Sequence, residues 1–201
     1  MSIVVLSNVR ISFPHLKEPQ SSTQGGTPTY NAVFIVPPTH TGYADFMKQV
    51  GVIAQDKWKE KAADVMNIIN ADAKKRCYAD GSTKVNQKTF KVYDGYEGNI
   101  VISANNKNAP QIFDEKGVKV DPNNSMTYKS EAGKIYGGCY VNAVVKPWVQ
   151  ANTHGVGIRC ELVAVQFLAD GESFGGDATP DVSGVFGATA APAGLPPFMM
   201  T

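Results

Sequence analysis

Apolar and polar residues alternate over several short stretches of this chain, and one longer stretch repeats its apolar positions at helical spacing. Near the start, Ile3, Val5, Val9, Ile11 and Phe13 fall on one face, with Ser7 the only interruption, while Asn8, Arg10 and Ser12 fall on the other. This predicts a first strand stopped by Pro14. Residues 17–29 are polar and rich in turn formers and read as a loop. Residues 30–36 predict a second strand, ended by Pro37-Pro38. Phe46, Val50, Ile53, Trp58, Ala62, Val65 and Ile69 then recur at roughly helical intervals, with Lys48, Asp56, Lys59, Glu60 and Lys61 opposite. Thr39 or Thr41 would cap this helix, and Gly51 would divide it in two. Residues 99–104 predict a strand, 111–120 a hairpin turning at 114–117, and 121–133 a loop. Two long strands follow. Ile135, Cys139, Val141, Ala143 and Val145 share one face of the first, with Tyr136, Tyr140, Asn142 and Lys146 on the other. Val156, Ile158, Cys160, Leu162, Ala164 and Leu168 share one face of the second, with Arg159 and Glu161 turned out.

Five or more strands with one helical insertion, joined by loops of uneven length, predict a mainly β fold. A five-stranded Greek-key barrel of the OB type suits this spacing, and a β-sandwich is the rival. After Gly171 the periodicity ends. Residues 1–170 therefore read as one domain, and 171–201, mostly Gly, Ala, Pro, Ser and Thr, as a flexible tail.

Charge changes this picture. Residues 1–160 carry 19 basic and 13 acidic side chains, a balance of +6. Residues 161–201 carry no Lys or Arg and five acids (Glu161, Asp170, Glu172, Asp177, Asp181), a balance of −5. The total of +1 hides a basic body followed by an acidic end, a pattern expected of a nucleic-acid binder. No apolar run approaches the length of a membrane span, and the short stretch Ile3 to Leu6 lacks the flanks of a signal peptide. Cys77, Cys139 and Cys160 are an odd set without CxxC spacing, which points to a reducing compartment. His15, His40 and His154 stand apart from each other and from the cysteines, so no metal or other cofactor is expected. GxSxG, HExxH and Walker patterns are absent, and Asp80, Asp94 and Asp114 lie in turns, where Asp is common for backbone reasons. No enzyme is expected.

Two stretches carry the candidate chemistry. In residues 74–96, Lys74, Lys75, Arg76, Lys84, Lys88 and Lys91 interleave with Tyr78, Phe90, Tyr93 and Tyr96. A single strand needs cations along its phosphates and flat rings against its bases, each stacked base being worth about 1–3 kcal/mol. The same pattern also fits a solvated loop whose tyrosines cap the core. In the strand after residue 135, Tyr136, Tyr140 and Lys146 project together, and Gly137-Gly138 leaves room for close approach. The alternative is that the helix covers this face. Arg10 and Arg159, on the polar sides of the first and last strands, are candidates for the same groove or for surface ion pairs. Trp58 belongs to the core stripe of the helix, and Trp148 fits either a core lid or a stacking residue.

The block from Leu6 to Pro19 (LSNVRISFPHLKEP), with YNAVFIVP (30–37), DGYEGN (94–99), IYGGCYVNAVVKPW (135–148), GVGIRCELVAVQF (155–167) and DGESFGG (170–176), resembles the single-stranded DNA-binding proteins of tailed phages and prophages. The resemblance implies an OB-fold core, single-stranded DNA as partner, a role in replication or recombination in the cytoplasm of an infected bacterium, and an acidic tail that binds partner proteins and competes with DNA. The tail departs from the pattern, because three residues follow Pro197-Phe198. The DNA-binding residues expected from the sequence are Arg10, Lys74, Lys75, Arg76, Tyr78, Lys88, Lys91, Tyr93, Tyr96, Tyr136, Tyr140 and Lys146. Two other readings stand beside this one: a protein-interaction or virion-associated β-barrel, and a nuclease-like enzyme that would need clustered carboxylates.

Overall fold

A computed structural model describes residues 3–21, 26–153 and 155–174. Seven strands form one sheet in the order β3-β4-β2-β1-β6-β7-β5. They are β1 (Val4–Gln20), β2 (Thr29–Val36), β3 (Tyr78–Asp80), β4 (Ile100–Asn106), β5 (Gln111–Phe113), β6 (Tyr140–Asn152) and β7 (Gly155–Ala169). A parallel contact of β4 with β7, at Asn105↔Glu161, closes β1, β2, β4, β7 and β6 into a five-stranded barrel. Closure removes the free edges that a sandwich would leave, so the OB-type expectation is met.

The barrel interior is apolar. Leu6, Ile11, Phe34, Ile102, Val141, Val145, Ile158 and Leu162 are essentially fully buried. One end is capped by the helical insertion α1 (Thr41–Trp58) and α2 (Ala62–Ala71), which sends Phe46, Val50 and Ile69 into the same core. The predicted apolar stripe is the buried one. The break, however, is not at Gly51. It falls at Lys59, whose φ of 53° no helix continues through, followed by one 3-10 turn. The N-cap is His40, not a threonine: its Nδ1 accepts from the Gly42 N–H at 2.9 Å.

Three phase slips change which residues point inward. In β1 the buried set runs Val4, Leu6, Val9, Ile11 and Leu16, whereas Ile3, Val5 and Phe13 are about half exposed. Register shifts fall between Leu6 and Val9 and between Ser12 and His15, and Asn8 and Phe13 have φ of 52° and 47°. Each is a β-bulge, which inserts a residue and swaps the faces. In β7, Val144↔Ala164 is followed by Val145↔Leu162, so Val163 is extra and Val165, not Leu168, lies in the core. Pro14 does not stop β1, because the bulge beside it carries the strand on to Gln20, paired with Thr29.

The expected loop at 121–133 contains a helix, α3 (Ser125–Lys134), capped by the Asn124 side chain. Tyr128 and Ala132 bury one side of it, and the Tyr128 hydroxyl lies 3.0 Å from the Pro110 carbonyl and 3.2 Å from that of Leu16. The hairpin after residue 111 is present, with Gly117 at φ 78° in its turn. Of the expected tail, only Gly171 to Phe174 are described, and these pack on the barrel; residues 175–201, including Asp177, Asp181 and the Pro197-Phe198 tip, lie outside the described residues, as does His154.

Candidate nucleic-acid interface

The registers place outward-facing residues in three rows across the barrel. Tyr140, Arg10, Ile35, Val101 and Ala79 make the first, on β6, β1, β2, β4 and β3. Ser12, Val33 and Ser103 make the second. His15, Asn31, Asn105, Glu161 and Lys146 make the third. The first row is roofed. Tyr96, with Val92, Tyr93 and Phe174, packs on Ile35, Ala79 and Val101 as a second hydrophobic cluster outside the barrel. The roof also covers part of the second row, where Ser12 is buried and Val33 packs on the same cluster; Ser103 and the third row form the open strip, with Lys146 and Glu161 paired at one end.

One border of this strip is the segment between β3 and β4. It is pinned at its base by the Gly81 N–H to the Asn99 carbonyl (2.8 Å), and it folds back through a Val85↔Val92 bridge. Lys88 and Lys91 are exposed on it, and Phe90, at φ 56°, is 81% exposed. Between this segment and β1 lies a cleft of about 290 Å³ lined by Phe13, Asn86, Thr89, Lys91, Tyr93 and Phe174, among others. Phe13 stands at its mouth, 48% exposed and edge-on to Tyr93 with ring centroids 5.1 Å apart. The cleft shares Phe13 and Phe174 with a groove of about 740 Å³ that runs between the later part of β1 and α3.

At the far end of the third row the β6–β7 hairpin projects. Trp148 pairs with Arg159 and is 43% exposed. Arg159 Nε donates to Gln150 Oε1 (2.7 Å) and Nη1 to the Lys74 carbonyl (2.8 Å), which ties the Lys74-Lys75 turn to β7. Gly157 permits that approach, since a Cβ there would stand 2.7 Å from the Lys75 carbonyl. Lys146 is half exposed and lies 3.6 Å from Glu161.

The twelve sequence-predicted residues thus divide. Lys88, Lys91 and Tyr93 lie together on one border, and Lys74, Lys75 and Lys146 on the other. Tyr78 and Tyr96 are corrections: their relative exposures are 5% and 3%. Tyr78 turns inward against Phe46 and donates to Asn70 Oδ1 at 2.8 Å. Tyr96 lies under its own segment, bonded to Ser12. Burial pushes both phenols above their ordinary pKa, and neither ring has a free face for a base. Arg76 is also turned in, with Nε buried and the guanidinium 5.7 Å from the Tyr78 ring. Tyr136 is committed to the chain itself: its hydroxyl lies 3.0 Å from Asp170 Oδ1 and accepts from the Gly171 N–H at 3.0 Å. The close approach foreseen at Gly137-Gly138 is made by residues 171–174. A Cβ on Gly138 (φ 112°) would run into the Glu172 carbonyl. Arg10 donates from Nε to the Gly138 carbonyl (3.0 Å) and from Nη2 to the Glu172 carbonyl, and its pairing partner Tyr140 is half-buried beside it, 5.8 Å away.

Phe13, Phe90 and Phe174 border the strip although neither alternation nor charge singles them out as binding residues, and Trp148, which the pattern leaves open, is exposed. Phe13 was hidden by the bulge. Phe90 had a readable signal, an aromatic residue in the polar run between Lys88 and Lys91.

A closed barrel whose outward strip is bordered by exposed rings and lysines defines an oligonucleotide-binding OB-fold protein. The chain belongs to the family of the Enterobacter phage Enc34 ssDNA-binding protein, whose profile matches residues 2–193. Protein p50 of Acyrthosiphon pisum secondary endosymbiont phage 1 is 33% identical over 181 residues, 89% of this chain and 90% of that protein. Among solved structures, the bacteriophage Enc34 single-stranded DNA-binding protein in complex with ssDNA superposes with a TM-score of 0.69 at 27% identity, covering 87% of this chain and 90% of that one. A second structure of the bacteriophage Enc34 single-stranded DNA-binding protein gives 0.65 at 26%, covering 92% and 89%. The single-stranded DNA-binding protein gp2.5 of bacteriophage T7 gives 0.52 at 12% identity, covering 96% and 98%, and shares the fold. Among the described residues no helix is long and apolar enough to cross a membrane.

Proposed function

We propose that this chain binds single-stranded DNA with little sequence preference and without catalysis. It would cover exposed strands during phage replication and recombination in the bacterial cytoplasm. Bases stack on Phe13, Tyr93 and Phe90 at one border of the strip and on Trp148 at the other. Phosphates follow Lys88 and Lys91, then Lys74, Lys75 and Lys146. The carrying observation is Phe13. A bulky residue held at φ 47° carries a backbone cost of about 1–3 kcal/mol, yet its ring, edge-on to Tyr93, stays half exposed, and such outliers cluster where ligands bind. Family membership and the ssDNA complex of the Enc34 protein support the same reading.

The test is fluorescence anisotropy of a labelled oligo(dT) over a series of KCl concentrations, with duplex and random-sequence competitors. The expected result is affinity that falls linearly on a log–log salt plot, because neutralised phosphates release counterions, with similar affinity for unrelated single strands. No salt-dependent binding, or metal-dependent cleavage of the oligonucleotide, would overturn the proposal in favour of the interaction-module or nuclease reading respectively.

A further inference from the structure

We propose that the pocket filled by the Phe174 ring is a nucleobase site, and that the ring is a stand-in that an incoming base displaces. This rests on the single-strand-binding function proposed above. The floor of the pocket is the Arg10 guanidinium, whose carbon lies 4.1 Å from the Phe174 ring centroid. Arg10 is not free to follow a phosphate, because its Nε and Nη2 are bonded to the Gly138 and Glu172 carbonyls. These bonds hold the guanidinium as a fixed flat plate, the form on which unstacked bases sit. Tyr140 flanks the same guanidinium, 5.8 Å away. On another side Gly95, at φ 74°, leaves the space the ring uses: a Cβ there would stand 2.8 Å from Phe174 Cζ. The pocket opens at Phe13 and Phe174 into both the lysine-bordered cleft and the groove along β1, so it lies on the path assigned to the strand.

The attachment of residues 170–174 is graded. Asp170 and Gly171 are bonded through the Tyr136 hydroxyl, Gly171 packs against the Gly138 carbonyl, and the Glu172 carbonyl holds Arg10. Among the described residues Phe174 itself is held by its N–H to the Gly137 carbonyl at 2.9 Å and by its ring contacts. Rotation at the exposed Ser173 therefore releases the ring while the anchors, and the Arg10 plate, stay in place. A base is as flat as the ring it replaces, and a polymer bound at neighbouring points delivers it at high local concentration.

The experiment compares Phe174→Ala with the wild-type full chain, keeping every charge. An open pocket raises oligo(dT) affinity by roughly two- to thirty-fold, the closed-to-open ratio a single cation–π contact sustains, with the salt slope unchanged. Phe174→Trp keeps a ring and the fold: after subtraction of the wild-type signal, acrylamide quenching of the introduced indole should rise when oligonucleotide saturates the protein. Equal or weaker binding by Phe174→Ala, or an indole equally shielded before and after DNA, overturns the proposal. Absence of ssDNA binding by both wild type and Phe174→Ala refutes the parent function and this pocket with it.

Discussion

Replacing Phe13 by alanine isolates the stacking contribution from the electrostatic one. The ring is 48% exposed and touches Tyr93 edge-on. Removing a stacked base partner costs about 1–3 kcal/mol, which raises Kd by roughly five- to 150-fold. The cost to folding is smaller and separately measurable. Half of a phenylalanine's burial is worth roughly 1 kcal/mol, and the aromatic pair adds about 0.5–1.5 kcal/mol. A domain with 5–15 kcal/mol of stability, in round figures, survives that loss. Alanine retains a Cβ, so the φ of 47° is no easier than before and the bulge should persist.

Anisotropy titrations of oligo(dT) against Phe13→Ala and wild type, each at several KCl concentrations, should give two parallel log–log lines displaced by that factor. Urea unfolding of the unbound proteins supplies the stability difference. Displacement within two-fold at intact folding would refute stacking on Phe13. A changed slope would refute it differently, showing that the ring works by holding the Lys91 segment through Tyr93. Tyr78→Phe is the control. It deletes the hydroxyl bonded to Asn70 inside the fold, so it should lower stability by about 1 kcal/mol and leave both lines where the wild type puts them.

Lys91→Ala should weaken ssDNA binding and lower the magnitude of the salt slope by about 0.7, the value for one phosphate contact on a single strand, in the same titration. Tyr128→Phe should destabilise by roughly 1–3 kcal/mol in urea unfolding, because its buried hydroxyl is the hydrogen-bond partner of the Leu16 and Pro110 carbonyls. Burial pushes the Cys139 and Cys160 thiols above their ordinary pKa, and all three cysteines are buried. Labelling by a disulfide reagent at pH 8 should therefore track unfolding, and rapid labelling of the native protein would refute the packing around them.

The barrel was legible because strands alternate with period two, and the helical insertion because its apolar stripe recurs with period 3.6. What alternation does not carry is phase. Val4 and Leu6 lie inside with Val9 and Ile11 only because Asn8 absorbs an extra residue. A single slip moved Phe13 from a predicted core position to the outward face. Asn at a left-handed position leaves a weak sequence trace; Phe at one leaves none. Helix α3 was missed for a different reason. Its exposed side is Ser, Lys and Glu, it contains Gly133, and only Tyr128 and Ala132 are fully buried from it. The lysine candidates lie at the surface as expected, because a surface cation needs no phase to be exposed. The tyrosines divided because a ring in a basic stretch serves a core as readily as a base: Tyr93 is half open, whereas Tyr78 and Tyr96 are closed.

The arginines explain why little sequence preference should follow from this architecture. The chain has three, and none is presented as a free fork. Arg10 and Arg159 are bonded to backbone carbonyls, and Arg76 is turned toward Tyr78 with Nε buried. Bidentate reading of a guanine edge or a phosphate needs a guanidinium with two free donors in line. The exposed cations of the strip's borders are lysines, point charges on flexible stems that attract any phosphate from many directions. The outward strip between them offers Ser103, Asn31 and Asn105, too sparse a set to identify each base along a strand. The stacking proposed on Phe13, Tyr93 and Phe90 would favour every base, because every base has a flat face. Geometry thus spends its directional donors on holding the barrel, the Lys74-Lys75 turn and residues 171–174 together, and leaves the ligand to contacts that do not discriminate.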